Sequence, residues 1–421
     1  MLRGQLDRLI HRLFFTPGSL FFRFLPIWAA TGLSGSKAGI AGVLFLRWPL
    51  LGHTVVLKQL PDDAEGIMSQ LACSVCAQAG VVAPRVEVLS LSSGRGRALV
   101  RKVKALASSP TKRIADQIRS ILEMNETVLL MEFIRGEPLL PDDDAVACAK
   151  RLSSPDIAVQ MGRMMAVDIV LNNWDRLPLD LDAWAPDPDA AFAAEHQGNP
   201  DNAYVRDDDG AIVAIDTDFK RYYPGPDAGG ADGGALGDEQ YIDQVAALFG
   251  DVAWAAKATG DANAARMAAA TINGAVGAAA LSLPEPSRAA HALRDGLAPL
   301  RGAAAAASLH DDQLRLYDAA LVDTLNRLLR RRTLPRLHSA AVAALGGEAA
   351  LGEGVVKTTQ RQVRRAERVL DAWERAISAA AIGFYDDLPW QKPGYTGGEK
   401  GDVFGGTEAN PKVRVMAQDV D

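Results

Sequence analysis

Between residues 168 and 218 the chain sets acids, amides and one arginine in an order suited to phosphoryl transfer. Asp175 follows the apolar run Ile169-Val170-Leu171 and the pair Asn172-Asn173, and precedes Arg176 and Pro178. A carboxylate on a loop leaving a helix can accept the proton of an attacking hydroxyl. Asn202 ends the string Gly198-Asn199-Pro200-Asp201-Asn202, and Asp216 ends the apolar run Ile212-Val213-Ala214-Ile215. One amide and one carboxylate are hard oxygen donors, and Mg²⁺ completes its shell with phosphates and water. Asp218, two residues on, is the second candidate for that carboxylate. Arg176 can orient the loop or contact a phosphate. Asp168 falls on the inner side of the preceding helix and, if buried, needs a partner, so it reads as structural support.

Upstream, Lys58 ends the β-branched strand Thr54-Val55-Val56-Leu57, where a lysine can neutralise α/β-phosphate charge if a carboxylate holds it. Glu65, at the start of the following helix, is the candidate for that carboxylate. Alone, a lysine at a strand end is an ordinary solvated residue. The run Gly32-Leu33-Ser34-Gly35-Ser36-Lys37-Ala38-Gly39 can bring backbone N–H groups to phosphates, with Gly32, Ser34, Gly35, Ser36 and Gly39 as candidate contacts. It is not a P-loop, because the G-x-x-x-x-G-K-[ST] pattern is absent. Glu132, on a later strand, is a further candidate on the nucleotide side.

These residues need elements to carry them. Residues 41–48 and 54–60 read as two strands, 64–79 as a helix ended by Gly80, and 84–91 and 127–134 as further strands. That is a small, mostly antiparallel lobe with one helix. Ser154-Pro155 opens a helix with a cap residue and a first-turn proline, and its apolar positions Ile157, Met161, Met164 and Leu171 run to Asn172. Residues 202–206 and 211–215 form a short hairpin around Asp207-Asp208-Asp209-Gly210. A Gly- and Asp-rich loop is expected over 224–237. From Tyr241 to about Phe384 the chain is Ala-rich with helical period, broken at Gly260, Pro284, Pro286, Pro335 and Gly352. The last helix is expected to expose Arg361, Arg364, Arg365, Arg368 and Arg375 and to bury Ala372, Trp373, Ile377 and Ala380.

Composition narrows the class. Across 421 residues, 48% hydrophobic and 23% charged content is that of a globular protein. A net charge of −7 gives no general reason to expect nucleic-acid binding. Three cysteines do not make a disulfide scaffold and point to a reducing compartment; Cys73 and Cys76 read as helix core residues. Six scattered histidines form no zinc cluster. No stretch is apolar enough to span a bilayer. Residues 1–28 nevertheless hold Phe14, Phe15, Phe21, Phe22 and Phe24 with Arg3, Arg8, Arg12 and Arg23. That segment and the basic stretch 95–113 suit contact with an acidic surface or membrane, against the plainer readings of lobe packing and a solvated face. A cytoplasmic location is expected, with a secreted effector or membrane-surface protein as the alternatives.

The combined string "VDIVLNNWDRLPL … GNPDNAYV … AIDTD" resembles the catalytic core of the actin–fragmin kinase family, over roughly residues 32–225. Those proteins are similar in fold to eukaryotic protein kinases and phosphoinositide kinases, and Asp218-Phe219 resembles the start of a DFG motif. The resemblance implies an α+β, two-lobed kinase-like fold that uses ATP and Mg²⁺ to phosphorylate a protein Ser/Thr hydroxyl. By matching position it makes Lys58 the phosphate lysine, Asp175 the catalytic aspartate, and Asn202 and Asp216 the metal ligands. Residues 177–198 stand as an insertion between Asp175 and Asn202. The expected divisions are a basic aromatic segment at 1–30, an N-lobe at 31–136 and a C-lobe with helical extension at 137–390. A disordered tail is expected over 391–421. A protein substrate is the expected partner. The rival readings are a lipid or small-molecule kinase and a nucleotide-binding pseudokinase.

Overall fold

The computed structural model describes residues 27–35, 43–49, 53–60, 62–107, 112–123, 126–141, 144–173, 176–177, 200–217, 241–243, 245–250, 252–253, 286–301 and 306–386. Residues 1–26 of the basic aromatic segment, Asp175, Asp218, Ser36, Gly39, the insertion from 178 onward, Gly260, the loop expected at 224–237 and the tail expected over 391–421 lie outside them. The protein is α+β, with a five-stranded antiparallel sheet near its N-terminus and a helix-rich remainder. It divides into two compact units: 1–77, 83–135 and 335–361 form one, and 78–82, 136–334 and 362–421 the other.

The first unit is built on β1 (Gly32–Gly35), β2 (Val43–Trp48), β3 (His53–Gln59), β4 (Val86–Ser90) and β5 (Thr127–Glu132), in the order β1-β2-β3-β5-β4. Helix α1 (Asp63–Ala79) follows β3. Two helices join β4 to β5: α2 (Gly94–Leu106) and α3 (Lys112–Leu122). The sheet is therefore served by more than the one helix expected. The basic stretch is helical because Leu99 and Val103, and Ile118 with Ile121 and Leu122, recur at helical spacing. Those residues cover one sheet face, packing with Leu44, Leu46, Val55, Leu57, Val128 and Leu130. The opposite face carries Leu60, Val88 and Leu129, with Leu345 against them. There α1 comes so close that a Cβ on Gly66 would stand 2.8 Å from Val88 Cγ2. The glycine-rich run also differs from a simple turn. Its first half is strand β1, whose residues pair from Gly32↔Arg47 to Gly35↔Leu44.

In the second unit β6 (Gly136–Pro138), β7 (Ala203–Arg206) and β8 (Ile212–Ala214) make a small antiparallel sheet in that order. Helix α4 (Ala145–Leu152) leads into α5 (Pro155–Leu171). Ser154 precedes α5 as expected, but its side chain makes no capping bond; Pro155 at the first turn needs no N–H partner. Helices α6 (Arg288–Arg301) and α7 (Asp311–Arg331) follow. Helices α5 and α7 pack through Ala158, Val159, Leu316, Ala319 and Ala320. At their crossing, Gly162 approaches the Tyr317 carbonyl so closely that an added Cβ would lie 2.2 Å from it.

Helices α8 (Leu334–Ala344) and α9 (Glu353–Asp386) complete the described chain, with a single turn at Glu348–Leu351 between them. The buried side of α9 includes Ala372, Trp373, Ile377 and Ala380, with Trp373 Nε1 donating to Asn326 Oδ1 at 2.9 Å. Arg365, expected on the exposed face, is buried instead: it falls between Val363, Ala366 and Val369 on the inner side. Among the described residues the cysteines form no disulfide, and no helix is long and apolar enough to cross a membrane.

Candidate functional site

In the first unit, strand alternation sets the geometry. Val55 and Leu57 of β3 point into the core beneath α2 and α3, so Val56 and Lys58 face the other way. Lys58 pairs with Val43 on β2 and Leu129 on β5, and it is half-buried. Glu65 lies in the first turn of α1, where its amide donates to Asp62 Oδ1 at 3.0 Å. That bond fixes the start of the helix just after the lysine strand. Ser34 accepts a bond from Arg47 Nη2 at 3.1 Å on the exposed edge of β1. Glu132 is engaged by Arg85. Its amide donates to the Arg85 carbonyl at 2.9 Å, and its carboxylate accepts from the Arg85 amide at 3.3 Å. The Arg85 guanidinium stands 3.7 Å from it. Neighbouring His53 has its pKa lowered by burial, opposed by Glu132 and aided by Arg85.

In the second unit Asp168, Asn173 and Thr217 meet at one buried arginine. Helix α5 ends at Asn172, whose left-handed backbone (φ 54°) turns the chain out, while its amide donates to the Asp168 and Ile169 carbonyls. Arg176 then folds back into the interior with no exposed surface. Its Nη1 donates to Asp168 Oδ1 in a buried ion pair. Nε and Nη2 donate to the Ile215 carbonyl at 3.2 and 3.1 Å, and Nη2 also donates to Thr217 Oγ1 at 2.6 Å. With its amide oxygen turned toward the guanidinium, Asn173 accepts from Nη1 at 3.2 Å and Nη2 at 3.1 Å. Thr217 passes the connection on by donating to the Ala214 carbonyl at 2.8 Å. Of the two roles foreseen for Arg176, the geometry realises loop orientation. A fully buried guanidinium with these partners is not presented to a phosphate.

The hairpin sets Asn202 and Asp216 at the same end of its paired strands. Ala203 pairs with Ala214, and the Ile215 amide donates to the Asn202 carbonyl at 2.9 Å. Asn202, at the end of a 3-10 turn, is buried, whereas Asp216 is half-buried. Asp216 has a left-handed backbone (φ 48°), a conformation Asp tolerates better than most residues. An amide oxygen and a carboxylate in adjoining positions are donors that fit Mg²⁺. The Tyr204 pKa is raised, first by burial and then by the charges of Asp201 and Asp216.

Asp168 is the structural partner that its buried position called for. Sequence reasoning assigned nothing to Asn173 or Thr217, although both lie within the strings that drew attention. Tyr241 and Tyr317 were also missed. Tyr241 donates its hydroxyl to the Ile169 carbonyl, supporting the end of α5. Burial, with lesser contributions from Asp318 and Asp168, drives the Tyr317 pKa well up, so that phenol stays neutral. No sequence pattern marks either tyrosine, because each reaches the site across a large separation in the chain.

Each unit thus carries candidate residues by itself: Lys58 and Glu65 in the first, and Asp168, Arg176, Asn202 and Asp216 in the second. The profile of the actin-fragmin kinase catalytic domain matches residues 32–253, more than half of the 421-residue chain. The chain belongs to this family, which makes it a kinase-class phosphotransferase. No curated protein matches it.

Proposed function

We propose that the protein uses ATP and Mg²⁺ to phosphorylate a serine or threonine hydroxyl of a protein. The observation that carries this reading is the Arg176 junction. Arg176 directly follows Asp175, and its guanidinium bonds the residues on either side of Asp216. One rigid group thus serves both the loop of the candidate base and the strand end of the candidate metal ligand. Such preorganisation is the protein's main contribution to phosphoryl transfer, whose transition state asks for positioned charge rather than covalent help.

In this reading Asp175 orients the acceptor hydroxyl and takes its proton as the oxygen attacks the γ-phosphorus of ATP. The bond from phosphorus to the bridging oxygen breaks, and ADP leaves. Lys58, with Glu65 as its candidate partner, balances charge on the α/β side. Asn202 and Asp216 would hold Mg²⁺, which supplies charge neutralisation on the phosphates when bound. Incubation with γ-labelled ATP, Mg²⁺ and a cell lysate tests the proposal, with Asp216→Asn as control. Asparagine tolerates the same left-handed backbone, so the variant removes charge without adding strain. Wild-type label in protein bands, recovered as phosphoserine or phosphothreonine and lost in Asp216→Asn, is expected. Label in the lipid extract, or equal labelling by both proteins, overturns it.

A further inference from the structure

The side of α2 that faces away from the sheet has no role in the chemistry above. Its sequence, GRGRALVRKVKAL, holds five cations and no acid, in a chain whose net charge is −7. Gly96, Leu99 and Val103 bury one side, and Arg97, Arg101 and Lys104 follow one another at i, i+4 and i+7 on another. Two of the five cations are matched by acids: Arg95 meets Glu87 at 2.7 Å and Lys104 meets Glu123 at 2.8 Å. Arg97 donates to the Ser92 carbonyl. Among the described residues, Arg97, Arg101 and Lys102 have no carboxylate partner.

Beside this helix packs the 3-10 turn Ile27–Ala29. Ile27 and Ala29 lie against the core cluster that includes Leu99 and Val103, while Trp28 between them is 79% exposed. A large indole left in water, on a turn packed against a helix whose cations lack carboxylate partners, is unfavourable for a free surface and suited to a bilayer interface. There the ring sits among headgroups and the cations meet anionic lipid. Directly upstream in sequence stand five phenylalanines and four arginines within residues 1–26, the same chemistry again. This aromatic content favours lipid over an acidic protein.

We propose that α2 and Trp28 form a docking surface for a bilayer containing anionic phospholipid. The full-length chain is sedimented with phosphatidylcholine vesicles made with and without phosphatidylserine, over a range of salt. Binding is expected only with phosphatidylserine and weakens as salt rises. Arg101→Glu/Lys102→Glu is expected to lower partition by about thirty-fold or more, from ~1 kcal/mol per cation at an anionic surface. Trp28→Ala is expected to lower it independently. Trp28 and Arg101 are exposed and Lys102 is half-buried, and matching circular dichroism and unfolding midpoints establish that the variants are folded. Binding that ignores phosphatidylserine, is absent altogether, or survives charge reversal unchanged overturns the proposal. Survival would place all the affinity in residues 1–26. Retention on a polyglutamate resin without vesicle binding overturns it too, in favour of an acidic protein partner.

Discussion

Replacing Arg176 by methionine removes the group on which the second unit's site converges. The substitution leaves the Asp168 carboxylate, 2% exposed, without its guanidinium. It also takes a donor from the Ile215 carbonyl and from Thr217 Oγ1. Removing one member of a buried ion pair costs about 3–5 kcal/mol, because the remaining charge stays desolvated. Against a usual stability of about 5–15 kcal/mol that is a large share, and the urea midpoint is expected to fall accordingly. The double variant Asp168→Leu/Arg176→Met removes both charges and is expected to regain most of the loss. Phosphoryl transfer, measured well below the unfolding midpoint, is expected to stay low in both variants. Neither holds Ile215 and Thr217, the residues flanking Asp216. The reasoning fails if Arg176→Met lies within about 0.5 kcal/mol of wild type, the range of an ordinary surface change. It fails equally if the double variant recovers transfer together with stability.

Two further outcomes concern packing and pH. Gly162→Ala is expected to push α5 and α7 apart, since the new methyl would meet the Tyr317 carbonyl at 2.2 Å; a loss of about 1–3 kcal/mol in urea unfolding checks it. His338 is buried with Nε2 2.7 Å from Thr359 Oγ1, which itself donates to the Val355 and Val356 carbonyls at 3.1 and 3.0 Å. The imidazole is therefore the donor, and burial lowers its pKa below 6.5. The unfolded chain then takes up a proton before the folded one does. This contribution is full above about pH 6.5 and is lost as pH falls toward the depressed folded value. Urea midpoints of wild type should drop more than those of His338→Gln as pH falls from neutral through that window.

The course of β3, α1, β5, α5 and the 202–215 hairpin was legible because each has a clear period, a cap or a turn signature. The lysine strand needed only β-branched alternation, and α5 needed Pro155 and a helical apolar spacing. The helices α2 and α3 were obscured by their charge, although the same apolar spacing runs beneath it. Asp168 was readable as a residue in want of a partner, since a carboxylate among apolar neighbours is costly alone.

What the sequence determined by itself was local: element types, the family likeness, and which side chains have the chemistry for transfer. The tertiary structure alone decided which way those side chains turn and whom they meet. Arg176 reads equally well as a phosphate contact or a loop anchor until its burial is known. The residues that settle the matter, Ile215 and Thr217, come 39 and 41 positions later. Likewise β5 lies between β3 and β4, an order that no local pattern states. Long-range pairing and desolvation depend on the whole chain being folded, and no window of neighbouring residues contains them.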